Sequence, residues 1–313
     1  MADLAVVIVT WNSREYILDA LQSLFADLDA NGPAADVYVI DSASSDGTAE
    51  LVASTFPQVK LTTSDQNLGF AKSNNTALCQ IGFGQPNATD LPSAVYLLNP
   101  DTITQLGATR KLYDALIANP RWGLVGAQLS YEDGSFQHGA FTFPGLRQLW
   151  VEFFPTPGRL IEGRFNGRYP RALYEAGKPF SVDFTLGATM MLRREVIQQT
   201  GMFDEQFFMY CEEVDWEWRI HEAGWDVYCV PSAHVVHLAG KSTSQIRAQS
   251  IINLWKSRLR LFAKHYPAWK FRLARWLLSL GMRRKLGQVA QSADNKPLLD
   301  AYQTVYEMAR NQP

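Results

Sequence analysis

Residues 95–99 are a mostly apolar run that stops abruptly at Asn99-Pro100-Asp101. A short apolar run bounded by turn residues is the pattern of a strand buried on both faces of a sheet. Pro100 has no N–H to give to a ladder, so the strand cannot continue past it. Asp101 is thereby predicted on a turn at the carboxyl end of the strand, where open α/β sheets bind their ligands. A carboxylate there can hold a hard divalent cation, and the cation a diphosphate. An Asp that merely caps its own turn has the same local sequence, so the rest of the chain has to decide.

Residues 4–10 form a β-branched strand, and Ser13 is predicted to N-cap a helix with Tyr16, Ile17, Ala20, Leu21, Leu24 and Phe25 on its inner face. A second buried strand, residues 37–40, runs into Asp41-Ser42-Ala43-Ser44-Ser45-Asp46-Gly47. A helix over 48–56, a strand over 59–62 and a helix through Leu78 follow. This alternation predicts a parallel sheet with right-handed crossovers. The strand ends supply Thr10 and Asn12, Asp41 and Ser42, and Asn99 and Asp101. Three polar clusters thus converge on one sheet edge, the geometry of a nucleotide site. Neither G-x-G-x-x-G nor G-x-x-x-x-G-K-[ST] is present. The positive charge for a bound diphosphate must then come from elsewhere, and a metal on Asp101 would supply it.

Composition bounds the alternatives. The 313 residues allow one large domain or two, and an apolar fraction of 47% supports a substantial core. Residues 1–246 carry 16 Lys+Arg against 28 Asp+Glu, whereas residues 247–287 carry 11 Lys+Arg and no acid. A basic tail on an acidic body calls for an anionic partner or surface. Cys79, Cys211 and Cys229 have no zinc spacing and fit a reduced, cytoplasmic setting. The start Met1-Ala2-Asp3 lacks the basic segment of a signal peptide, and no run reaches the length of a membrane span.

Four separated motifs carry a resemblance: Val7-Ile8-Val9-Thr10-Trp11-Asn12, Val39-Ile40-Asp41-Ser42 through Gly47, Asn67-Leu68-Gly69-Phe70-Ala71, and Leu98-Asn99-Pro100-Asp101. In order and over about residues 4–240, they resemble the family-2 inverting glycosyltransferases of GT-A fold, and most of all the rhamnosyltransferase branch. The resemblance implies an α/β nucleotide-diphospho-sugar transferase over 1–243, with a nucleotide-sugar half (1–104), an acceptor half (105–243) and a basic helical extension (244–313). It places Asp41 on the nucleobase or ribose, with Thr10, Trp11, Asn12, Ser42, Asp46, Asn67, Gly69, Phe70 and Asn99 in the same pocket. The family's D-x-D stands here as Asn99-Pro100-Asp101, which leaves one strong anionic ligand. It also places His237 as a second metal or diphosphate ligand, for Mn²⁺ or Mg²⁺, with imidazole favouring Mn²⁺. His234 is read as structural. Lys241, Ser242 and Thr243 fall where the family has a mobile loop over the diphosphate.

The second half has its own chemistry. Residues 105–119 are predicted as a helix with Leu106, Leu112, Leu116 and Ile117 inward, followed by a strand over 124–129 and a hairpin turn at 132–135. Residues 139–180, rich in Gly, Pro, Arg and aromatics, are predicted as a long irregular flap facing the acceptor. Gly187, Ala188 and Trp216 are expected at the acceptor. Glu212-Glu213-Val214-Asp215 puts three carboxylates at a helix start, where the helix dipole favours acids for structural reasons alone. An inverting transfer needs a carboxylate to take the proton of the acceptor hydroxyl, and clustered acids raise one another's pKa. By resemblance the base is Glu213, where the family has Asp. Glu212 and Asp215 would orient it or hold acceptor hydroxyls, and Arg219 can pair with Asp215 one turn on.

Residues 244–265 and 269–280 are basic helices bearing tryptophan, and 288–313 a polar helix with Leu298, Leu299, Tyr302, Val305 and Tyr306 as its apolar stripe. Such helices lie on anionic membrane surfaces; packing on the body and a homodimer interface are the competing readings. No nucleic-acid motif accompanies the charge. The expected protein is a metal-dependent transferase, peripheral on the inner face of the cell membrane. Its donor would be dTDP-L-rhamnose or a UDP-sugar, and its acceptor a glycan or lipid-linked saccharide. A sugar-nucleotide pyrophosphorylase would need a Gly-rich, Arg-containing loop where this chain has Thr10-Trp11-Asn12. A binding subunit without activity is the non-enzyme alternative.

Overall fold

The computed structural model describes residues 2–85, 88–238, 247–289 and 296–311. The first half alternates as expected: β1 (Leu4–Thr10), α1 (Ile17–Asn31), β2 (Ala35–Ser42), α2 (Thr48–Thr55), β3 (Lys60–Ser64), α3 (Gly69–Ile81), β4 (Ala94–Leu98) and β5 (Thr102–Thr104). The second half begins with α4 (Ala108–Ala118), β6 (Trp122–Ser130), β7 (Phe136–Gln137) and β8 (Ala140–Phe141). Short helices α5 (Leu146–Phe153), α6 (Gly158–Ile161) and α7 (Arg171–Glu175) follow. Then come β9 (Phe180–Ser181), β10 (Phe184–Thr185), β11 (Thr189–Arg193), α8 (Arg194–Thr200), α9 (Glu212–Glu222) and β12 (Asp226–His237). Three helices end the chain: α10 (Arg247–His265), α11 (Ala268–Val289) and α12 (Lys296–Asn311).

The main sheet runs β3-β2-β1-β4-β11-β6-β12-β5. Strands β3, β2, β1 and β4 are parallel. β11 enters antiparallel between β4 and β6, and β5 pairs antiparallel with β12, so the sheet is mixed. Successive residues of β1 serve opposite cores: Leu4, Val6 and Ile8 pack with α1 and α4, and Ala5 and Val7 with α3. Burial on both faces is why the strands read as continuous apolar runs.

Some local expectations are corrected. Ser13 is not the N-cap of α1. Its hydroxyl accepts from the Trp11 amide (3.3 Å), its own amide donates to Thr48 Oγ1 (3.0 Å) and the helix begins four residues later. Leu106 and Ile117 are not inward: they are 69% and 38% exposed, because α4 starts after Leu106 and rests on the sheet through Leu112 and Leu116.

The 139–180 segment is not irregular throughout. It folds in part into α5–α7 and seats the terminal helices. Leu149 and Phe153 of α5 share one apolar cluster with Trp255, Leu259, Leu277, Met282 and Val305, and Tyr266 donates a 2.7 Å hydrogen bond to the Pro144 carbonyl. A Cβ at Gly281 would lie 2.2 Å from the Phe153 ring, so glycine is what lets α11 press against it. Aromatic character without alternation concealed this role from a sequence reading, because the partners lie more than 100 residues away.

Candidate active site

A cavity of about 290 Å³ opens at the carboxyl ends of β1, β2 and β4. Trp11, Ser42, Asn67, Gly69, Phe70 and Asn99 line one part of it, with Asp101 and His237. Leu186, Gly187, Ala188, Met209, Tyr210, Glu212 and Glu213 line another. Of these, Leu186, Met209 and Tyr210 carried no signal in the sequence, being apolar or aromatic residues in loops.

Four expected nucleotide contacts, Thr10, Asn12, Asp41 and Asp46, do not line the cavity; they hold the loops that do. Asp41 accepts from Thr10 Oγ1 (2.7 Å), from Ser44 Oγ (2.6 Å) and from the Ser44 amide (3.0 Å). Asn12, at φ 49°, accepts from the Ser45 amide at 2.9 Å. Asp46 accepts from Thr48 and from the Arg14 amide, and these bonds outweigh its burial and lower its pKa. Small polar residues after a strand can satisfy each other as readily as a ligand, and spacing alone does not separate the two.

The Asn67-Leu68-Gly69-Phe70 motif has a steric reason. Asn67 Oδ1 accepts from the Gly69 amide (2.9 Å), and Ser42 Oγ accepts from the Leu68 amide (2.7 Å). Gly69 has φ +75°, and a Cβ on it would meet the Phe208 carbonyl oxygen at 2.4 Å. The Phe70 amide donates to that carbonyl at 3.0 Å. Only glycine permits this approach, which brings the 206–210 strip beside α3.

Asp101 and His237 meet because β5 pairs with β12, His237 lying opposite Thr102. The Leu238 amide donates to the Asp101 carbonyl at 2.9 Å. The side chains are nearly buried, with His237 Nε2 3.6 Å from Asp101 Oδ1. That is too long for a hydrogen bond, and His237 Nδ1 is buried with no hydrogen-bond partner among the described residues. One carboxylate and one imidazole facing a cavity fit a divalent cation that takes its remaining ligands from substrate oxygens and water. No group of three or more His, Cys, Asp or Glu that could hold a metal occurs among the described residues. Lys241, Ser242 and Thr243 lie outside the described residues.

Helix α9 sorts its acids by face. Its entry is strained: Tyr210 and Cys211 both have left-handed backbones, φ 70° and 65°, a conformation costing non-glycine residues roughly 1–2 kcal/mol each. The resulting turn sends Glu212 and Glu213 to the cavity. Neither has an ion-pair partner among the described residues, and Glu212 Oε2 is buried without a hydrogen-bond partner. Burial raises the pKa of Glu213 to about 6, against backbone donors at the helix start. Burial, then the Glu213 charge, pushes Glu212 well up. One turn on, Glu217 is buried and accepts from the Thr185 amide at 2.9 Å, its pKa also raised by burial.

Asp215 is on the other side, fully buried, and does not line the cavity. Arg219 Nε lies 3.0 Å away, and Lys264 Nζ and His265 Nε2 each 2.7 Å. Burial works to raise its pKa, but hydrogen bonds from His265 and Lys264 and the Arg219 charge prevail and hold it at about 2. Its role is to bind α10 to α9. Trp216 is likewise corrected: it is fully buried, edge-on to Phe203 at 4.5 Å, with its indole N–H donating to Thr200 Oγ1. Three residues after Glu213, it lies about 60° from it around the helix, and it is packing on Phe203 and the hydrogen bond to Thr200 that place it in the core. Gly187 and Ala188 do line the cavity, and a Cβ on Gly187 would contact Glu213 at 3.6 Å.

A family model described as Glycosyltransferase like family 2 matches residues 2–253, more than half of the chain. The chain belongs to this glycosyltransferase family. Over 295 residues, 90% of this chain and 92% of the relative, the glycosyltransferase is 30% identical to N-acetylglucosaminyl-diphospho-decaprenol L-rhamnosyltransferase of Mycobacterium tuberculosis. It is also 30% identical to rhamnosyltransferase WbbL of Escherichia coli K12, over 63% of this chain and 70% of the relative. Its fold is shared with the mannosyltransferase PcManGT of Pyrobaculum calidifontis, solved with GDP-Man and Mn²⁺. The TM-score is 0.55 at 19% identity, covering 98% of this chain and 84% of the other. GalNAc-T7, solved with UDP, GalNAc and Mn²⁺, gives 0.58 at 15% identity, covering 99% and 56%. The architecture is therefore the GT-A fold with a helical C-terminal region.

Proposed function

We propose that this glycosyltransferase moves L-rhamnose from dTDP-L-rhamnose, with inversion, to a hydroxyl of a lipid-linked saccharide. One observation carries the reading: a carboxylate whose pKa lies near neutrality, Glu213, opens on the same cavity as the Asp101–His237 pair. The two rhamnosyltransferase relatives support the sugar, and the first of them, which acts on N-acetylglucosaminyl-diphospho-decaprenol by name, supports a diphospholipid acceptor. A UDP-sugar remains the alternative donor for the same site.

Asp101 and His237 would hold the divalent cation, whose chemistry is to neutralise the leaving diphosphate. Trp11, Asn67 and Phe70 line the wall on which the nucleotide would rest. Glu213 accepts the proton of the acceptor hydroxyl while that oxygen attacks the anomeric carbon from the face opposite the diphosphate. Gly187 and Ala188 leave room for the acceptor beside Glu213.

The deciding experiment is calorimetric titration of dTDP and UDP with and without Mn²⁺, on wild type and Asp101→Ala. Binding of one nucleotide should strengthen with Mn²⁺, and in Asp101→Ala this gain should fall by at least about tenfold. Equal binding with and without metal would remove the metal role, and no nucleotide binding at all would remove the transferase reading.

An anionic bilayer is the proposed resting surface. No helix of the described residues is long and apolar enough to cross a membrane. Trp269 and Trp276 are 60% and 56% exposed, and Leu273 38%. At 100° per residue these share one face of α11 with the exposed Arg272, Arg283 and Arg284, a tryptophan-and-arginine face suited to an interface. The full chain should sediment with phosphatidylglycerol vesicles and not with phosphatidylcholine vesicles, and Trp269→Ala/Trp276→Ala should release it. A dimer by light scattering that the same double substitution dissociates would assign the face to a second copy instead.

A further inference from the structure

A second cavity, of about 450 Å³, adjoins the first. Gln249, Asn253, Lys256, Ser257 and Arg260 of α10 line it along one face, opposite Asn67, Gln206 and Phe208. Residues 249 to 260 span about 16 Å of helix at 1.5 Å per residue, so it is an elongated trough. Among the described residues, its lining holds two cations and four side-chain amides, with no carboxylate. Among the described residues, Lys256 has no ion-pair partner, and Arg260 has none either, its contacts there being the neutral Gln206 and the Phe207 ring. Two uncompensated cations therefore face a trough on a body whose first 246 residues are net acidic.

Asn67 lines both cavities. The strip between them is fixed from each side: the Phe208 carbonyl accepts from the Phe70 amide (3.0 Å), and the Met209 carbonyl accepts from Ser257 Oγ (2.8 Å). A ligand lying in the trough thus ends beside the catalytic cavity. Cations interspersed with amides recognise phosphate oxygens together with sugar hydroxyls.

We propose that this trough binds the diphosphate of the acceptor, with Lys256 and Arg260 as its charge partners. The donor's diphosphate is assigned to Asp101 and His237. Two separate anion sites would let both substrates bind at once and present the acceptor sugar to Glu213. The proposal rests on the transferase reading above and deepens it.

Binding can be read without turnover. Geranyl diphosphate and inorganic phosphate are titrated calorimetrically into the full chain, as wild type, Lys256→Gln/Arg260→Gln, Lys256→Glu and Asp101→Ala. Geranyl diphosphate should bind wild type and Asp101→Ala alike, and at least tenfold more weakly to both trough variants. Lys256→Glu guards against a fold effect of losing Arg260, since Lys256 makes no side-chain hydrogen bond or ion pair among the described residues. Unchanged affinity in the trough variants would overturn the proposal. So would loss of binding in Asp101→Ala, which would put the anion in the donor cavity. Inorganic phosphate binding as tightly as geranyl diphosphate would mean that a free anion suffices, and the acceptor assignment would fall. If wild type transfers no rhamnose to an N-acetylglucosaminyl diphospholipid, the proposed activity fails while these binding results stand on their own.

Discussion

Replacing Glu213 with Gln should lower kcat by about 10²–10⁴, the usual contribution of a positioned general base, while dTDP and Mn²⁺ bind as in wild type. The amide keeps the size and the helix start but cannot accept the hydroxyl proton. Nor should the variant be less stable. Burial raises the Glu213 pKa, so the native state holds a proton more tightly than the unfolded chain. By linkage, ionised Glu213 opposes folding as pH rises through about 6, and Gln removes that opposition. The base must be ionised to work, so the wild-type rate should fall on the acid side as pH drops through about 6, and this limb should vanish from the residual rate of Glu213→Gln. Steady-state rates across pH 4.5–8.5, with a melting curve for each protein, test all of this. A variant retaining more than a tenth of the wild-type kcat would remove Glu213 from the base role.

Asp215→Ala should destabilise the fold by about 3–5 kcal/mol, the range for removing one partner of a buried ion pair. The substitution leaves the nearly buried His265 and Arg219 without this carboxylate, and Lys264 with Asp204 as its remaining partner. The sign against pH follows from the lowered pKa. A depressed carboxylate stabilises the native state fully above about pH 4, and the contribution is lost as pH falls toward 2. Denaturant unfolding of wild type and Asp215→Ala should therefore differ most at neutral pH and converge in acid. His265 also stacks on Trp218 at 4.6 Å, so the loosened contact is the one joining α10 to α9. A difference below 1 kcal/mol at pH 7 would show that the α9–α10 junction rests on its apolar contacts instead.

The two predictions concern carboxylates two residues apart with opposite fates, and they mark how much of the site local sequence could carry. The run 212–215 identified the helix start and its acids, but not which acid faces the cavity. Helical rotation separates Glu213 from Asp215, and two of the three groups that hold Asp215, Lys264 and His265, come from α10, about 50 residues later. The same limit applies at the strand ends. Asp101 and Asp41 have similar local contexts, yet β12 brings His237 to the first while Thr10 and Ser44 donate three hydrogen bonds to the second.

From its sequence alone this chain was legible as an alternating α/β nucleotide-sugar transferase with Asp101 at a strand end, Glu213 at a helix start and a basic helical tail. Those features are written in contiguous residues, because strand burial, proline breaks and helix starts are local. Tertiary structure alone decided that the 139–180 segment seats the terminal helices. It alone also decided that Trp216 belongs to the core, that Asp215 is a clamp, and that α10 lines a second, cationic trough. Each of these depends on which distant side chains burial brings together, and no short window of sequence holds that information.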